Sequence, residues 1–157
     1  MKYLKKIIIF SFISVFLLNA CAYKKINSQN QKKFNIQEIN VNGDSRTAFL
    51  IKKKVNRYSN SNSNNKIKIT IKLSKSSDIE EKNIKNKATK YNVSLSANVI
   101  VSELNSGREL TRTFNSSQTY NVEEKYSNTL NNMRDANNAL IDDLTNEIIE
   151  QLRIYFN

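Results

Sequence analysis

The clearest pattern in the chain is Lys66-Ile67-Lys68-Ile69-Thr70-Ile71-Lys72-Leu73, where apolar and polar side chains alternate without a break. Successive side chains of a strand point to opposite faces, so the isoleucines and Leu73 define one face, and the lysines and Thr70 the other. The segment predicts a half-buried strand with a basic outer face. A second alternation, through Tyr91, Val93, Leu95, Ala97, Val99 and Val101, passes Leu104 and Asn105-Ser106-Gly107 before Leu110, Arg112 and Phe114. Two alternating runs joined by a short turn ending in glycine predict a β-hairpin, its second strand reaching Tyr120 or Val122.

Three- and four-residue spacing marks two helices. Ala48, Ile51, Val55 and Tyr58 share one face of a helix over residues 45–58, preceded by Asn42-Gly43, with Asp44 or Ser45 as cap and Lys52, Lys53, Lys54 and Arg57 on the opposite face. Leu130, Met133, Ala136, Leu140, Leu144, Ile148, Leu152 and Tyr155 form the stripe of a long terminal helix, broadened by Ile141 and Ile149 and offered a cap by Ser127 or Asn128. Its other side is acidic, with Asp135, Asp142, Asp143, Glu147 and Glu150. Phe34, Ile36, Ile39 and Val41 have strand-like spacing with one slip of phase and predict a first strand over residues 34–42. Residues 59–65 are only Ser and Asn, a solvated connection. Residues 74–90 carry few apolar side chains and read either as a long loop or as strand ends running past the core. The order β-α-β-β-β-α predicts an α+β two-layer sandwich, with two helices packed on a four-stranded, largely antiparallel sheet.

The N-terminus changes the picture. Lys2, Lys5 and Lys6 precede an apolar run from Ile7 to Leu18 broken only by Ser11 and Ser14, the layout of a secretory signal. A membrane-spanning helix needs roughly 20 apolar residues, and this run is shorter. Leu18-Asn19-Ala20-Cys21 resembles a lipobox, with Asn19 where Ala or Ser is more usual, and Cys21 is the one cysteine of the sequence. The expectation is therefore an export signal over residues 1–20, a Cys21 bearing a diacylglycerol and an acyl chain, a tether over residues 21–33, and a single domain over residues 34–157. Each buried acyl methylene contributes about 0.8 kcal/mol, so two or three chains anchor a protein stably. Ala22, by resemblance to enterobacterial sorting, favours the outer membrane, and the anchored protein is expected on its periplasmic side.

Net charge is +11, and loss of the three signal lysines leaves +8 on the mature chain, which favours anionic partners such as phosphate-rich lipid, nucleic acid or an acidic protein surface. The same charge is also what a Lys- and Asn-rich composition gives with no ligand at all. The sequence has no His, no Trp and no Pro. Histidine metal sites, Ser-His-Asp triads, Cys-His pairs and thiolate zinc sites are excluded. Carboxylate-only and Ser-Lys chemistry remain formally open, but neither a paired-acid motif nor a glycine-rich phosphate loop occurs. The expectation is a protein that is not an enzyme and carries neither metal nor cofactor beyond the lipid on Cys21.

Tyr91-Asn92-Val93-Ser94-Leu95, Leu104-Asn105-Ser106-Gly107-Arg108, Arg112-Thr113-Phe114-Asn115-Ser116-Ser117, Tyr120-Asn121, Asp135-Ala136 and Leu152-Arg153-Ile154-Tyr155-Phe156 together resemble the LPS-assembly lipoprotein family LptE in its alphaproteobacterial form. The resemblance covers residues 34–157 in element order and residues 91–156 in specific positions. It departs at Ala22-Tyr23-Lys24-Lys25, where family members often have Gly and Pro, and at Met133-Arg134, where an acidic pair often precedes Asp-Ala. It implies a non-enzymatic outer-membrane component that pairs with an LptD-like β-barrel, sits partly in its lumen as a plug, and assists lipopolysaccharide insertion into the outer leaflet, with no nucleic-acid partner. Lipopolysaccharide carries phosphates and acidic sugars, so Lys82, Lys85, Lys87, Lys90, Arg108 and Arg112 are expected to form an anion-facing surface. The competing reading is another envelope-assembly accessory lipoprotein, or a periplasmic adaptor docking its helix on a partner.

Overall fold

The computed structural model describes residues 34–156; the export signal, Cys21 and the tether expected from the sequence lie outside the described residues. Its elements are β1 (Asn35–Asn42), α1 (Ser45–Asn56), β2 (Lys66–Lys82), β3 (Ala88–Glu103), β4 (Glu109–Asn121) and α2 (Tyr126–Tyr155). The sheet runs in the order β1-β2-β3-β4, parallel between β1 and β2 and antiparallel across the other two pairs. A parallel pair needs a crossover, and α1 supplies it. The architecture is the α+β arrangement expected from the sequence, two helices with a four-stranded mixed sheet.

The isoleucine face of β2 is the floor of the core: Ile67, Ile69 and Ile71 are each 0% exposed. Burial along β3 alternates in step, from Val93 through Leu95, Ala97 and Val99 to Val101. Ile51 and Val55 of α1 and Leu140, Leu144, Ile148 and Leu152 of α2 join these residues in one cluster, so both helices lie on the same side of the sheet. Phe34 and Phe156, with ring centroids 5.7 Å apart, close that core where the described chain enters and leaves it. The contrast between a basic and an acidic helix is partly a helix-to-helix contact, since Lys54 pairs with Asp142; just past the end of α1, the centre of the Tyr58 ring lies 5.1 Å from the Arg153 guanidinium of α2.

Local chemistry sets the boundaries. Asp44 caps α1, its carboxylate accepting from the Thr47 amide at 2.9 Å and hydroxyl at 2.7 Å. The slip of phase in β1 is a bulge between Ile36 and Glu38. Gly43 has φ +143°, and a Cβ there would stand 2.7 Å from the Leu73 Cβ, so no other residue fits the β1–α1 turn without displacing the strand beside it. The Ser/Asn connection is tied down: Ser59 Oγ accepts from the Ile36 amide at 2.9 Å, and Asn35 donates to the Asn65 carbonyl at 2.8 Å. Two expectations shift. The long helix starts earlier than its expected caps, at Tyr126 after Lys125, so Ser127 and Asn128 lie within its first turn. Residues 74–90 are strand rather than loop over most of their length, β2 pairing with β3 as far as Lys82↔Ala88. Backbone pairing to β3 carries the strand on where the hydrophobic alternation has stopped.

Candidate functional site

With both helices on the core side, no described element covers the opposite side of the sheet, and register decides what it displays. Row by row across the sheet it carries Asn40–Thr70–Ile100–Thr111, Asn42–Lys72–Asn98–Thr113, Ser74–Ser96–Asn115 and Ser76–Ser94–Ser117. Apart from Ile100 and Lys72, these rows contain only hydroxyls and amides. Asn98 donates to Thr113 Oγ1 at 3.2 Å, and at the next row Ser102 donates to Glu109 at 2.9 Å. Lys68 reaches Glu38 of β1 at 2.8 Å, and with Asn40 it holds that carboxyl below its ordinary range. Beyond Lys72 the side chains are shorter, and Ser74, Ser76, Ser94, Ser96, Asn115 and Ser117 line a shallow trough of about 220 Å³.

The β2–β3 hairpin carries this polar face outward and ends in a turn over residues 83–87. Asn83 Oδ1 accepts from the amides of Lys85 and Lys87, each at 3.0 Å, and Asn86 takes φ 59°, a left-handed position that Asn tolerates. Ile84 at the tip is wholly exposed, among the exposed Lys82, Lys85 and Lys87.

The six cations expected to form one surface occupy three places. Lys82, Lys85, Lys87 and Lys90 are together at the hairpin tip. Lys90, however, reaches Glu80 at 3.2 Å and Glu81 at 3.5 Å, and Glu80 above all raises its pKa. Arg108 sits in the β3–β4 turn, at the other end of a 16-residue strand; at a rise of about 3.3 Å per residue that is roughly 50 Å away. Its Nε donates to Glu103 Oε2 at 2.9 Å, and the Ser106 hydroxyl donates to the same oxygen. Those two donors, Ser106 foremost, hold the Glu103 carboxyl below its ordinary range and lock the turn, where Gly107 takes φ +70°. Arg112 pairs with Val99 and therefore lies on the core side, at the β4–α2 seam with Ile148 and Leu152. A single anion-facing surface containing all six does not exist, because β-sheet register, not sequence proximity, sets which side chains share a face.

No family model matches the chain, and no curated protein matches it significantly. Its fold is shared. A solved structure of a protein proposed to be a lipoprotein, from Caulobacter crescentus CB15, aligns with a TM-score of 0.54 at 11% identity over 82% of this chain and 94% of that one. An uncharacterized lipoprotein B from Nitrosomonas europaea aligns with a TM-score of 0.51 at 9% identity over 78% and 84% of the two chains. Likeness at this level of identity concerns the fold.

What the arrangement offers chemically is a hydrogen-bonding surface. No cluster of three or more His, Cys, Asp or Glu residues is placed to hold a metal among the described residues. The serines of the trough carried no functional expectation from the sequence. The signal was there, in the small polar residues Asn92, Ser94, Ser96 and Asn98 that alternate through the middle of β3, but alternation tells in from out and does not say that the outer rows of three strands coincide.

Proposed function

We propose that this protein is a lipid-anchored outer-membrane lipoprotein of the LptE type, which pairs with an LptD-like β-barrel, occupies part of its lumen and assists the placement of lipopolysaccharide in the outer leaflet. The observation that carries the reading is the uncovered sheet face, polar in row after row. A domain seated in a water-lined barrel must present hydroxyls, amides and charges to a polar wall, while burying its apolar surface under its own helices. The Leu18-Asn19-Ala20-Cys21 lipobox and a fold shared with lipoprotein structures support the same reading. On this view the protein performs no catalysis and needs no metal or cofactor. Lys82, Lys85 and Lys87 at the hairpin tip are its contacts for the phosphates and acidic sugars of lipopolysaccharide, whereas Arg108 is occupied with Glu103.

The test is a mild-detergent pull-down of the lipidated protein from outer membranes, with identification of what stays bound. A stoichiometric large β-barrel is the expected result. Recovery with a different periplasmic partner would replace the reading by that of an envelope-assembly adaptor of the same fold. Given a barrel, reversal of charge at Lys85 and Lys87 together should weaken lipopolysaccharide binding by the purified complex without releasing the barrel.

A further inference from the structure

The core face of β2 does not end cleanly. Strand alternation places Lys75 in phase with Ile67, Ile69, Ile71 and Leu73, so its side chain belongs to the helix side of the sheet, two residues beyond the end of that unbroken apolar row. There α1 has not yet begun, and α2 passes overhead. The gap between the two helices is a cleft of about 480 Å³, with Lys75 among its lining residues, Arg46 at the start of α1, and Met133, Arg134, Asn137 and Ile141 along α2.

Its chemistry is uneven in an informative way. Three cations, Arg46, Lys75 and Arg134, share the cleft with a single carboxylate, Asp44, whose oxygen already accepts from the amide and hydroxyl of Thr47. None of the three cations forms an ion pair among the described residues; the Arg134 guanidinium donates to Asn131 Oδ1 at the cleft rim, and, after the Thr47 amide and hydroxyl, the charges of Lys75 and Arg46 help to hold the Asp44 carboxyl below its ordinary range. Asn137 adds an independent feature: its Nδ2 donates to the Met133 carbonyl at 2.7 Å, while its Oδ1 is buried with no donor among the described residues. A buried acceptor without a donor is costly, and a ligand that brings one removes the cost. Met133 and Ile141 supply apolar contact beside these polar groups.

The geometry points to a binding site for a phosphomonoester carried on a hydroxyl-bearing ring, that is, a phosphorylated sugar, either free or as the head of a glycolipid. The phosphate lies among Arg46, Lys75 and Arg134, where guanidinium groups donate in pairs to phosphate oxygens. A ring hydroxyl donates to Asn137 Oδ1, and the carbon face of the ring rests on Met133 and Ile141. The volume is that of a site for a small organic ligand rather than for a bare ion. This site lies on the helix side of the sheet and is independent of the barrel-pairing reading.

The test is calorimetric titration of the full-length protein in detergent with glucose 6-phosphate, glucose, inorganic phosphate and micellar monophosphoryl lipid A. Saturable binding of glucose 6-phosphate, at least ten-fold tighter than inorganic phosphate and absent for glucose, is expected. The Lys75→Met variant continues the apolar phase of β2 and keeps the fold, so an unchanged thermal midpoint together with at least ten-fold weaker binding is expected of it, and likewise of Arg134→Gln. Displacement of glucose 6-phosphate by lipid A identifies a lipid-borne head as the ligand; binding of the sugar phosphate without displacement identifies a soluble one. Absence of binding by both the sugar phosphate and lipid A, or binding left intact in both variants, overturns the proposal. Either result leaves the pull-down of a barrel partner unaffected, so the two readings fail separately.

Discussion

The two halves of β2 teach different things about how this chain specifies its fold. From Lys66 to Lys72 the strand has β1 on one side and β3 on the other, and its isoleucines are sealed beneath both helices. From Leu73 to Lys82 it has only β3 among the described residues, because β1 ends opposite Lys72, and every residue from Ser74 on is exposed. The second half is thus an edge strand with one row of backbone groups open to solvent. Such edges invite pairing with other chains, and this one bears Asp78, Glu80, Glu81 and Lys82 together with register shifts around Glu81, features that discourage it. One half of β2 is held by burial, the other by its ladder to β3 alone.

The largest expected effect tests the first half. Ile69→Thr removes buried hydrocarbon and places an unpartnered hydroxyl in a site that is 0% exposed; a loss of about 3 kcal/mol is expected, measured by urea unfolding. A loss below about 1 kcal/mol, the range of a surface substitution, would mean that the isoleucine row is not the floor of the core.

That contrast also explains what could be read from the sequence. Where one face is buried, alternation in the sequence is the burial pattern itself, so β1, the Ile67–Leu73 segment, the β3–β4 hairpin and both helices were legible. Where neither face is buried, nothing in the side chains marks a strand, and Ser74–Lys82 read equally well as loop. The candidate site suffered more. Lys82, Lys85 and Lys87 are together because they are neighbours in one turn, but Arg108 and Arg112 were joined to them by charge, a property that carries no address. Lys75 went unremarked for the opposite reason: its phase with Leu73 was hidden once the apolar run was taken to have stopped.

The next effect sharpens the boundary between the halves. Gly43 presses on Leu73, the residue where they meet, and its φ of +143° is a region that L side chains rarely adopt. Gly43→Ala is expected to destabilise by about 2 kcal/mol, from backbone strain together with displacement of Leu73. The same unfolding measurement reads it. A neutral result would place the turn away from β2.

Acid should loosen the well-buried half through its margins. Asp44 at the α1 cap, Glu38 beside Lys68, and Glu103 beneath Ser106 and Arg108 all have carboxyls held below their ordinary values of 3.8, 4.5 and 4.5. A carboxyl with a lowered pKa in the folded state contributes stability in full above its unfolded pKa, and that contribution is lost as pH falls through the folded value. The thermal midpoint should therefore be steady from neutral pH down to the ordinary carboxylate range and decline below it. Glu103→Gln should lower the midpoint at pH 7, and its difference from the unaltered protein should shrink as the pH falls below the ordinary carboxylate range and the native carboxyl takes up its proton. A constant difference between the two proteins across that range would mean that Glu103 acts by shape rather than charge.

The smallest expected effect is the strongest statement about the second half. Ile79 is 48% exposed and pairs with Tyr91 on the outer stretch of the hairpin. Ile79→Thr makes the same chemical change as Ile69→Thr in the same strand, and both residues are β-branched, so strand preference is held constant. Burial is the variable that differs, and with it the cost should fall to within about 0.5 kcal/mol of zero. Hydrogen exchange gives the companion measurement. Amides of Asp78 to Lys82 should exchange through local opening of the edge, and those of Lys68 to Ile71 only with global unfolding. If Ile79→Thr instead cost as much as Ile69→Thr, the outer hairpin would have to be packed against something in solution, and the open edge of β2 would be where to look for it.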